Sequence, residues 1–289
     1  MKISALSRLF TAIAAIAVIG AASSCSNDKT ASTPDAVSGH AVTYRVVTDN
    51  GANAETAVEG VKCRLGRLGI SDPKVTFDKN AGNTISVDIP DNVNAAVVDS
   101  VLTNREAVAI YNTLNVTEMQ RYGITPGDYA EKVAIATALN DAEKKAIVDR
   151  LVAAGVGSDI KLVWSAPKKV YVGEFADTGT IGYELYALRA AEVFRPTLIN
   201  TFVKKIDGWK RLLLVFDAPD AREFVKFTES KVGRQLAVVV NDEVLSAPYI
   251  KSPVVEGRID ISGDYTDEQL RRMCAELFPL GPGLRLARK

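Results

Sequence analysis

The fold is decided by residues 232–273, which read VGRQLAVVVNDEVLSAPYIKSPVVEGRIDISGDYTDEQLRRM. Leu236–Val240 is an uninterrupted apolar run between polar residues, which is typical of a strand covered on both faces. Asn241 and Asp242 fit a two-residue hairpin turn because both residue types tolerate positive φ. Residues 244–246 are then the returning strand, so this stretch predicts a buried β-hairpin.

Helix signals stand on both sides of this hairpin. Upstream, Asp217 is placed to cap a helix with Pro219 in its first turn, where a missing N–H costs nothing, and Gly233 ends it. Downstream, residues 258–262 predict another strand. Thr266 then begins a last helix, with Gln269 at the third helical position reciprocating the cap.

The N-terminal part of the chain alternates strands and helices. Their order, strand–helix–strand–strand–helix–strand, is that of a ferredoxin-like unit. Strands are predicted at 42–47, 75–77, 84–89 and 107–111, and helices at 54–68 and 93–102.

Residues 112–163 have a different pattern. Two helices are predicted there, near 127–139 and 141–154, and the second opens with Asn140 as cap and Glu143 three residues later. A strand is predicted at 161–164. Residues 168–216 then alternate strands with a short helical stretch, and the last strand, RLLLVF at 211–216, reads as central because it is continuously apolar.

The stretch 232–273 closely resembles the first periplasmic domain of SecD and SecDF, the auxiliary subunits of the Sec translocase. The family pattern has a G-[KR]-x-[LM]-A-[IV]-V-L-[DN]-G-x-[VI]-x-S-A-P run, a G-x-x-x-[IV]-[ST]-G-x-[FY]-T run and an acidic helix start. The segment CRLGRLGISDPKV, residues 63–75, is similar to the R-V-x-x-L-G-V-x-E-P segment of the same family. The matching residues of the first stretch are Gly233, Arg234, Leu236, Ala237, Val238, Val239, Asn241, Val244, Ser246, Ala247, Pro248, Gly257, Ile261, Ser262, Gly263, Tyr265, Thr266 and Glu268.

The sequence also departs from the family pattern. Asp242 stands where the family usually has Gly, Ile259 replaces another Gly, and residues 112–163 have no clear counterpart. The six membrane helices that follow this domain in SecD have no match in this sequence. In the family those helices carry the charged residues that couple proton flow to movement, so we expect no proton-driven motor activity from this chain by itself.

The resemblance implies an α+β fold, with a ferredoxin-like base and an inserted α/β head subdomain. The base would combine the N-terminal unit with the last strand and helix. In the family the head is thought to hold the emerging polypeptide and assist its release into the periplasm. The predicted organisation is a signal peptide at 1–24, a lipidated tether at 25–41, the base at 42–111, a helical insertion at 112–163, the SecD-like head at 164–256, and a return strand, helix and C-terminal tail at 257–289.

The N-terminus predicts export and lipidation. Lys2 and Arg8 precede LFTAIAAIAVIGAA, residues 9–22, which has the length of a signal-peptide core and falls short of the roughly 20 residues of a membrane span. The small residues that follow resemble a bacterial lipobox, with Ala22 where the family usually has Leu. Cys25 is then the lipidated residue, and the polar residues after it form a flexible tether. The alternative is an ordinary secretory signal followed by a chance cysteine.

Charge and cysteine content narrow the partners and the compartment. Without Lys2 and Arg8 the chain has 33 basic and 35 acidic residues, and this near-neutral balance argues against a nucleic-acid partner. No other stretch approaches membrane length, so we expect attachment to a membrane facing the periplasm through acyl chains only. Export permits a disulfide between Cys63 and Cys274. However, the first lies on the polar side of one predicted helix and the second on the apolar face of another, which favours separate thiols.

The sequence lacks the residue sets of common enzymes. His40 is the single histidine and lies in the predicted tether, which argues against Ser–His and Cys–His pairs and against a zinc site. No glycine-rich phosphate loop of useful length is present, and we expect no cofactor. The acidic pair Asp242 and Glu243 fits the hairpin turn better than a catalytic or calcium role. We therefore predict that the chain is not an enzyme.

Aromatic residues supply the candidates for contact with a peptide: Tyr183, Tyr186, Phe194 and Tyr249. The first three lie in GYELYALRAAEVF, residues 182–194, which could line a peptide groove. Core packing is the default for that run, because Tyr and Phe are buried more often than they bind.

Three functions stay open. The first is binding of exported or unfolded polypeptide in support of protein translocation, with the Sec translocase as a partner. The second is a lipid-anchored scaffold that docks a folded envelope protein. The third is a carboxylate-based hydrolase, which could work without histidine and would need paired carboxylates facing a common cleft.

Overall fold

The computed structural model describes residues 39–49, 51–104, 108–124, 134–137, 139–170 and 180–289. All of them belong to one compact unit, Asp35–Lys289. The predicted signal peptide, Cys25 and the tether as far as residue 38 lie outside the described residues. Helices and several antiparallel sheets are combined in this unit, which confirms the α+β class.

The elements run as follows. The strands are β1 (Gly39–Thr48), β2 (Val75–Asp78), β3 (Thr84–Pro90), β4 (Val108–Thr113), β5 (Ala134–Thr137), β6 (Ile160–Trp164), β7 (Lys168–Val170), β8 (Thr180–Phe194), β9 (Leu198–Ile206), β10 (Trp209–Phe216), β11 (Leu236–Val240), β12 (Glu243–Ser246), β13 (Arg258–Ile261) and β14 (Leu284–Arg288). The helices are α1 (Ala57–Leu68), α2 (Ala95–Thr103), α3 (Val116–Arg121), α4 (Asp141–Ala153), α5 (Ala218–Glu229) and α6 (Asp267–Glu276), with a 3-10 turn at Ala54–Thr56 before α1.

The base is a four-stranded antiparallel sheet in the order β14–β1–β3–β2. Helix α1 connects β1 to β2, and α2 follows β3, which is the ferredoxin-like order of elements. The sheet and the two helices share one core, whose fully buried members include Tyr44, Ile85, Val87, Val61, Leu65 and Val98.

The fourth strand of the base comes from the C-terminus, which corrects two predictions. The sequence pattern assigned that strand to 107–111, but β4 lies in the head, between β11 and β8. The return strand predicted at 258–262 is β13, which pairs with β10 in the head. The predicted tail instead forms β14, with Leu286 opposite Val46. Leu284 and Leu286 lie on one face of β14 and pack in the core of the base, so this strand completes the open edge of β1.

A buried arginine ties the base to the segment that follows α6. Arg64 of α1 has no exposed surface, and its Nη1 donates to the carbonyl oxygens of Val101 at 2.6 Å and Asn104 at 3.3 Å. Its Nε donates to the carbonyl oxygen of Phe278 at 2.8 Å. A guanidinium has five N–H donors in a fixed plane, so it can satisfy carbonyl groups at several helix ends at once. Arg64 therefore holds α1, α2 and the chain after α6 together.

The head contains a three-stranded sheet in the order β13–β10–β9, which confirms that 211–216 is a central strand. Side chains of β10 pack with α5 and α6 in one core, which includes Leu212, Leu214, Phe216, Phe224 and Leu270. The predicted cap of α5 is also confirmed, because the Asp217 carboxylate accepts a hydrogen bond from the main-chain N–H of Asp220 at 2.8 Å. Helix α6 contacts α1 of the base as well as β9 and β10, so it belongs to both parts.

The second sheet of the head, in the order β12–β11–β4–β8–β5, closes on itself. Strand β6 pairs with β8, and Ser165 after β6 forms a parallel bridge with Val244 of β12. The closed circuit surrounds a core of Tyr111, Val163, Tyr186, Leu188, Ala237, Val239 and Val244. The alternate residues of β11, Leu236, Val238 and Val240, pack in the core that β10 shares with α5 and α6. The prediction that this strand is covered on both faces is confirmed.

Residues 112–163, predicted as a helical insertion, contain strands as well as helices. Helix α4 has the predicted capping box of Asn140 and Glu143, and the strand predicted at 161–164 is β6. The prediction of a helix near 127–139 is wrong for Ala134–Thr137, because these residues form β5 and pair with β8. Residues 127–133 and 138 lie outside the described residues. The long strand β8 offers this segment a main-chain ladder, which outweighs its local helical pattern.

The remaining predictions concern single residues. His40 lies in β1 opposite Ile89, not in a tether. No disulfide joins Cys63 and Cys274, and burial raises the pKa of the Cys274 thiol, whose Sγ lies 3.6 Å from the Thr201 hydroxyl. Among the helices of the described ranges, none is both long and apolar enough to cross a membrane.

Candidate functional site

A groove of about 260 Å³, called the head groove below, lies between β12, the turn at 165–167 and α6. Its apolar lining residues other than the exposed Pro167 are buried or half-buried, and most of its charged and polar ones are exposed. The apolar lining consists of Val240, Leu245, Met273, Leu277, Ala166 and Pro167, and the polar lining of Asn241, Glu243, Tyr265, Gln269, Arg272 and Glu276. Concave sites with an apolar lining and a few polar groups are the usual form of a binding site.

The β11–β12 hairpin forms one wall of the head groove. Asn241 and Asp242 have φ values of 49° and 63°, so both adopt the positive φ that the two-residue turn was predicted to require. The Asp242 carboxylate lies 2.7 Å from Nζ of Lys161, an exposed ion pair that accounts for one half of the acidic pair. The main-chain N–H of Ala166 donates to the Val244 carbonyl at 3.0 Å, which holds the 165–167 turn beside β12.

Helix α6 forms the opposite wall. Thr266 and Gln269 make the predicted capping box, with bonds of 3.2 and 2.8 Å, and this fixes where the helix begins. Gln269, Met273 and Glu276 are spaced by four and three residues, so they share one helix face. Arg272 Nε donates to the Glu276 carboxylate at 2.7 Å, so these two charges are paired at the edge of the groove.

Tyr265 connects the two walls. Its hydroxyl donates to the Leu245 carbonyl at 2.8 Å. Gly263 makes room for the ring, because a Cβ at that position would lie 2.8 Å from Cε2 of Tyr265. Burial raises the pKa of Tyr265 to about 12, and the negative charge of Glu243 adds to the effect. The hydroxyl therefore remains a hydrogen-bond donor at neutral pH.

Two carboxylates, Glu243 and Glu276, line the head groove, and they differ in their surroundings. Crowding by neighbouring atoms raises the pKa of the Glu243 carboxyl, with Lys144 opposing the shift and Asp141 adding to it. Glu276 accepts hydrogen bonds from Arg272 and from the Ser100 hydroxyl, the latter at 3.4 Å. Glu276 is thus engaged in an ion pair at the edge of the groove, whereas no ion pair holds Glu243 among the described residues. This arrangement suits binding of apolar side chains better than acid–base chemistry by a carboxylate pair.

Glu184 is a buried charged residue whose main-chain carbonyl accepts a hydrogen bond from Ser165, at the turn that lines the groove. Tyr186 donates to the Glu184 carboxylate at 2.5 Å, and Lys168 forms an ion pair with the same carboxylate. Burial raises the pKa of Tyr186, and the charge of Glu184 raises it further. The negative charge of Glu184 is thus compensated inside the closed sheet, as a buried carboxylate requires.

The four aromatic residues predicted to contact a peptide do not come together, and none lines the head groove. Tyr186 is 2% exposed, and Phe194 packs with Phe224 at 5.1 Å between ring centroids, so both belong to the core. Tyr183 is half-buried under Nζ of Lys144, 3.6 Å from the ring centre. Tyr249 is 49% exposed, and its main chain forms an isolated antiparallel bridge with Gln235.

Sequence reasoning missed the residues that do line the head groove. Leu245, Tyr265 and Met273 come from separate segments, and the closing of the sheet brings those segments together with 166–167. The four-residue spacing of Gln269 and Met273 on a capped helix was the one local signal that could have found the α6 wall. Within the described residues, no group of three or more His, Cys, Asp or Glu side chains could hold a metal ion.

Residues 201–277 match a protein-family model described as SecDF, P1 head subdomain. The matched segment contains β10 to α6 and ten of the twelve residues that line the head groove. These residues of the chain therefore form a SecD-like head.

Curated relatives point to the same family. The protein translocase subunit SecD of Syntrophobacter fumaroxidans is 41% identical over 64 residues, which cover 22% of this chain and 12% of the relative. SecD of Borreliella burgdorferi is 22% identical over 223 residues, which cover 75% of this chain and 35% of the relative. The chain thus spans only about an eighth to a third of the length of these relatives.

Solved structures of SecDF are also similar. One, of SecDF as a membrane component that enhances protein export, is matched over 86% of this chain and 99% of its own, with 17% identity and a TM-score of 0.45. A crystal structure of SecDF in a super-membrane-facing form is matched over 86% of this chain and 30% of its own, with the same identity and TM-score.

Proposed function

We propose that this protein binds exported, unfolded polypeptide in support of protein translocation, and that the head groove is the binding surface. The observation that carries the proposal is the match of residues 201–277 to the SecDF head, because that segment supplies most of the groove. The curated relatives are named as protein translocase subunits. The Sec translocase is accordingly the proposed partner.

The chemistry of the head groove fits an unfolded chain. Leu245, Met273 and Leu277 offer apolar surface to apolar side chains, and the exposed Gln269 and Glu243 can exchange hydrogen bonds with a main chain. Such a surface recognises no particular sequence. We expect micromolar or weaker affinity, since an unfolded client loses conformational entropy when it is ordered.

We also propose that Cys25 carries the lipid that holds the protein at a membrane facing the periplasm, and that residues after it form the tether. The support is the short apolar core at 9–22 followed by small residues and the cysteine. Acyl chains would keep the head near the site where exported chains emerge.

The binding proposal is tested by titrating a fluorescent secretory protein, in unfolded and folded forms, against the full chain carrying Cys25→Ala. We expect the unfolded form to bind preferentially. Met273→Ala should weaken that binding about five- to thirtyfold, because the lost apolar contact is worth about 1–2 kcal/mol. Val255→Ala is the matched control, since Val255 is 72% exposed and lies outside the groove.

Two results would count against the proposal. Equal binding of the folded and unfolded forms would favour the scaffold that docks a folded protein. Equal loss of binding in Met273→Ala and Val255→Ala would show that the head groove is not the contact surface.

A further inference from the structure

The hairpin of β9 and β10 ends in an exposed tryptophan surrounded by basic residues. Asp207 and Gly208 form its two-residue turn, with φ values of 50° and 85°. Trp209, the first residue of β10, is 69% exposed, the most exposed aromatic side chain of the described residues. The register places Trp209 opposite Ile206, so these two apolar side chains share one face at the tip.

The charges around this tip are predominantly positive. Residues 204–211 contain four basic side chains against one acidic side chain, Asp207. Lys204 and Lys205 are exposed and have no carboxylate partner among the described residues. Lys210 forms an exposed ion pair with Asp267, and Arg211 lies 4.0 Å from Asp207. The two unpaired lysines leave a positive field at the tip.

An exposed indole beside lysines is the combination found where proteins meet a membrane surface. Tryptophan is enriched at the headgroup level because its ring is apolar and its N–H is polar. Lysine and arginine are attracted to anionic lipids. A protein partner fits less well, since a stable interface buries about 800 Å² on each side, and the tip of a two-stranded hairpin is too narrow to supply that area.

We infer that the tip of the β9–β10 hairpin, residues 204–211, is a membrane-contact site that inserts Trp209 among the headgroups of a bilayer containing anionic phospholipids. Lys204 and Lys205 provide the electrostatic attraction. The inference is independent of the lipid on Cys25 and of polypeptide binding, because it needs neither the head groove nor an acyl chain. Its consequence is a fixed orientation of the head relative to the bilayer surface.

The test is quenching of tryptophan fluorescence by brominated phosphatidylcholine vesicles that also contain phosphatidylglycerol. The protein is the full chain with Cys25→Ala, so no acyl chain contributes, and residues 9–22 are the same in every variant. The chain has two tryptophans, and Trp164 is 9% exposed. The difference between this protein and its Trp209→Phe variant therefore isolates the Trp209 signal.

We expect the Trp209 component to be quenched and shifted to the blue. Each lost lysine charge weakens binding about fivefold, so Lys204→Gln with Lys205→Gln should weaken it about 25-fold. At the lipid concentration that quenches half of the Trp209 fluorescence in the parent protein, quenching in this double variant should fall to less than a tenth of the parent's. Lys145→Gln with Lys226→Gln changes the net charge equally at two exposed, ion-paired lysines and should have little effect.

The inference is overturned if the Trp209 component is not quenched, or if both lysine pairs lower quenching equally. Equal quenching with vesicles of phosphatidylcholine alone would overturn the electrostatic part. If the vesicles do not quench Trp209 and an acidic protein shields its side chain from solvent, then the hairpin contacts a protein partner and not a membrane.

Discussion

Substitution of Gly60 in α1 tests whether the segment after α6 packs directly against the base. A Cβ at this position would lie 2.6 Å from both the Cα and the carbonyl oxygen of Leu280, and 2.9 Å from its carbonyl carbon. All three atoms are main chain, so no side-chain rotation can relieve the contact. Gly60→Ala must therefore separate α1 from residues 278–280, and this strains the 2.8 Å bond from Arg64 to the Phe278 carbonyl.

Two opposing effects determine how much Gly60→Ala changes the free energy of unfolding. Replacing glycine by alanine inside a helix stabilises it by about 1 kcal/mol. Overpacking a close contact costs about 1–3 kcal/mol, and a contact with rigid main chain belongs at the upper end. We therefore expect Gly60→Ala to lower the free energy of unfolding by about 2 kcal/mol, which corresponds to a fall in Tm of roughly 4–8 °C for a body of this size.

Thermal and denaturant unfolding of the full chain provide the assay, and the same helix provides the control. Gly66 is exposed, and a Cβ there would meet no atom within 4 Å. Gly66→Ala should thus raise Tm by about 2–4 °C from helix propensity alone. If the two variants shift Tm in the same direction by the same amount, then α1 is not in contact with Leu280 and the C-terminal segment does not complete the base.

The closed sheet, the N-terminal cysteine and the Glu118 ion pairs can each be tested by one substitution. Val239→Asp should prevent cooperative folding of the head, because Val239 is 3% exposed in the core of the closed sheet and an unpaired buried carboxylate costs several kcal/mol; near-UV circular dichroism that matches the wild type would refute this. Cys25→Ala should move the protein from the membrane fraction to the soluble periplasmic fraction on cell fractionation, and retention without a partner would contradict lipidation. Burial opposes ionisation of Glu118, but hydrogen bonds from Arg234, the Asn115 main chain and Arg189 outweigh it and lower its pKa from 4.5. The stabilising effect of the Glu118 carboxylate is therefore present above about pH 4.5 and is lost as pH falls through the lower pKa of the folded state. Glu118→Gln should then make Tm fall less steeply below pH 4.5. Substitution of the exposed Glu223 by Gln is the control and should leave the dependence of Tm on pH as in the wild type.

Local signals predicted the elements whose hydrogen bonds are local. The capping boxes at Asn140 and Thr266 place helix starts through bonds three residues apart, and the structure has both. The hairpin at Asn241 and Asp242 was predictable because positive φ restricts the residue types that a tight turn can use. The run LAVVV indicated burial on both faces by composition alone.

Pairing between distant strands could not be predicted in this way. Residues 107–111 read as a continuously apolar run and residues 284–288 as a short mixture of apolar and basic residues, and neither pattern identifies a partner strand. Only the assembled sheets place the first in the head and the second in the base. Strand β5 forms because the long strand β8 offers it a ladder, which outweighs a local helical pattern.

The head groove was missed for a similar reason. Aromatic side chains were chosen as peptide contacts by residue type, but Tyr186 and Phe194 have partners in the core. The groove instead joins the 165–167 turn, β12 and α6, which meet only because Ser165 closes the sheet against Val244.

The central claim is that the head groove contacts exported polypeptide, and the most direct test is photo-crosslinking in cells. A photoreactive amino acid is placed at Met273 in the groove, or at Val255 outside it, while a tagged secretory protein is arrested during export. We predict that crosslinks to the arrested chain form from position 273, do not form from position 255, and disappear when the chain is released and folds. Crosslinks from position 273 to one folded envelope protein, unchanged by the presence of the arrested chain, would contradict the account.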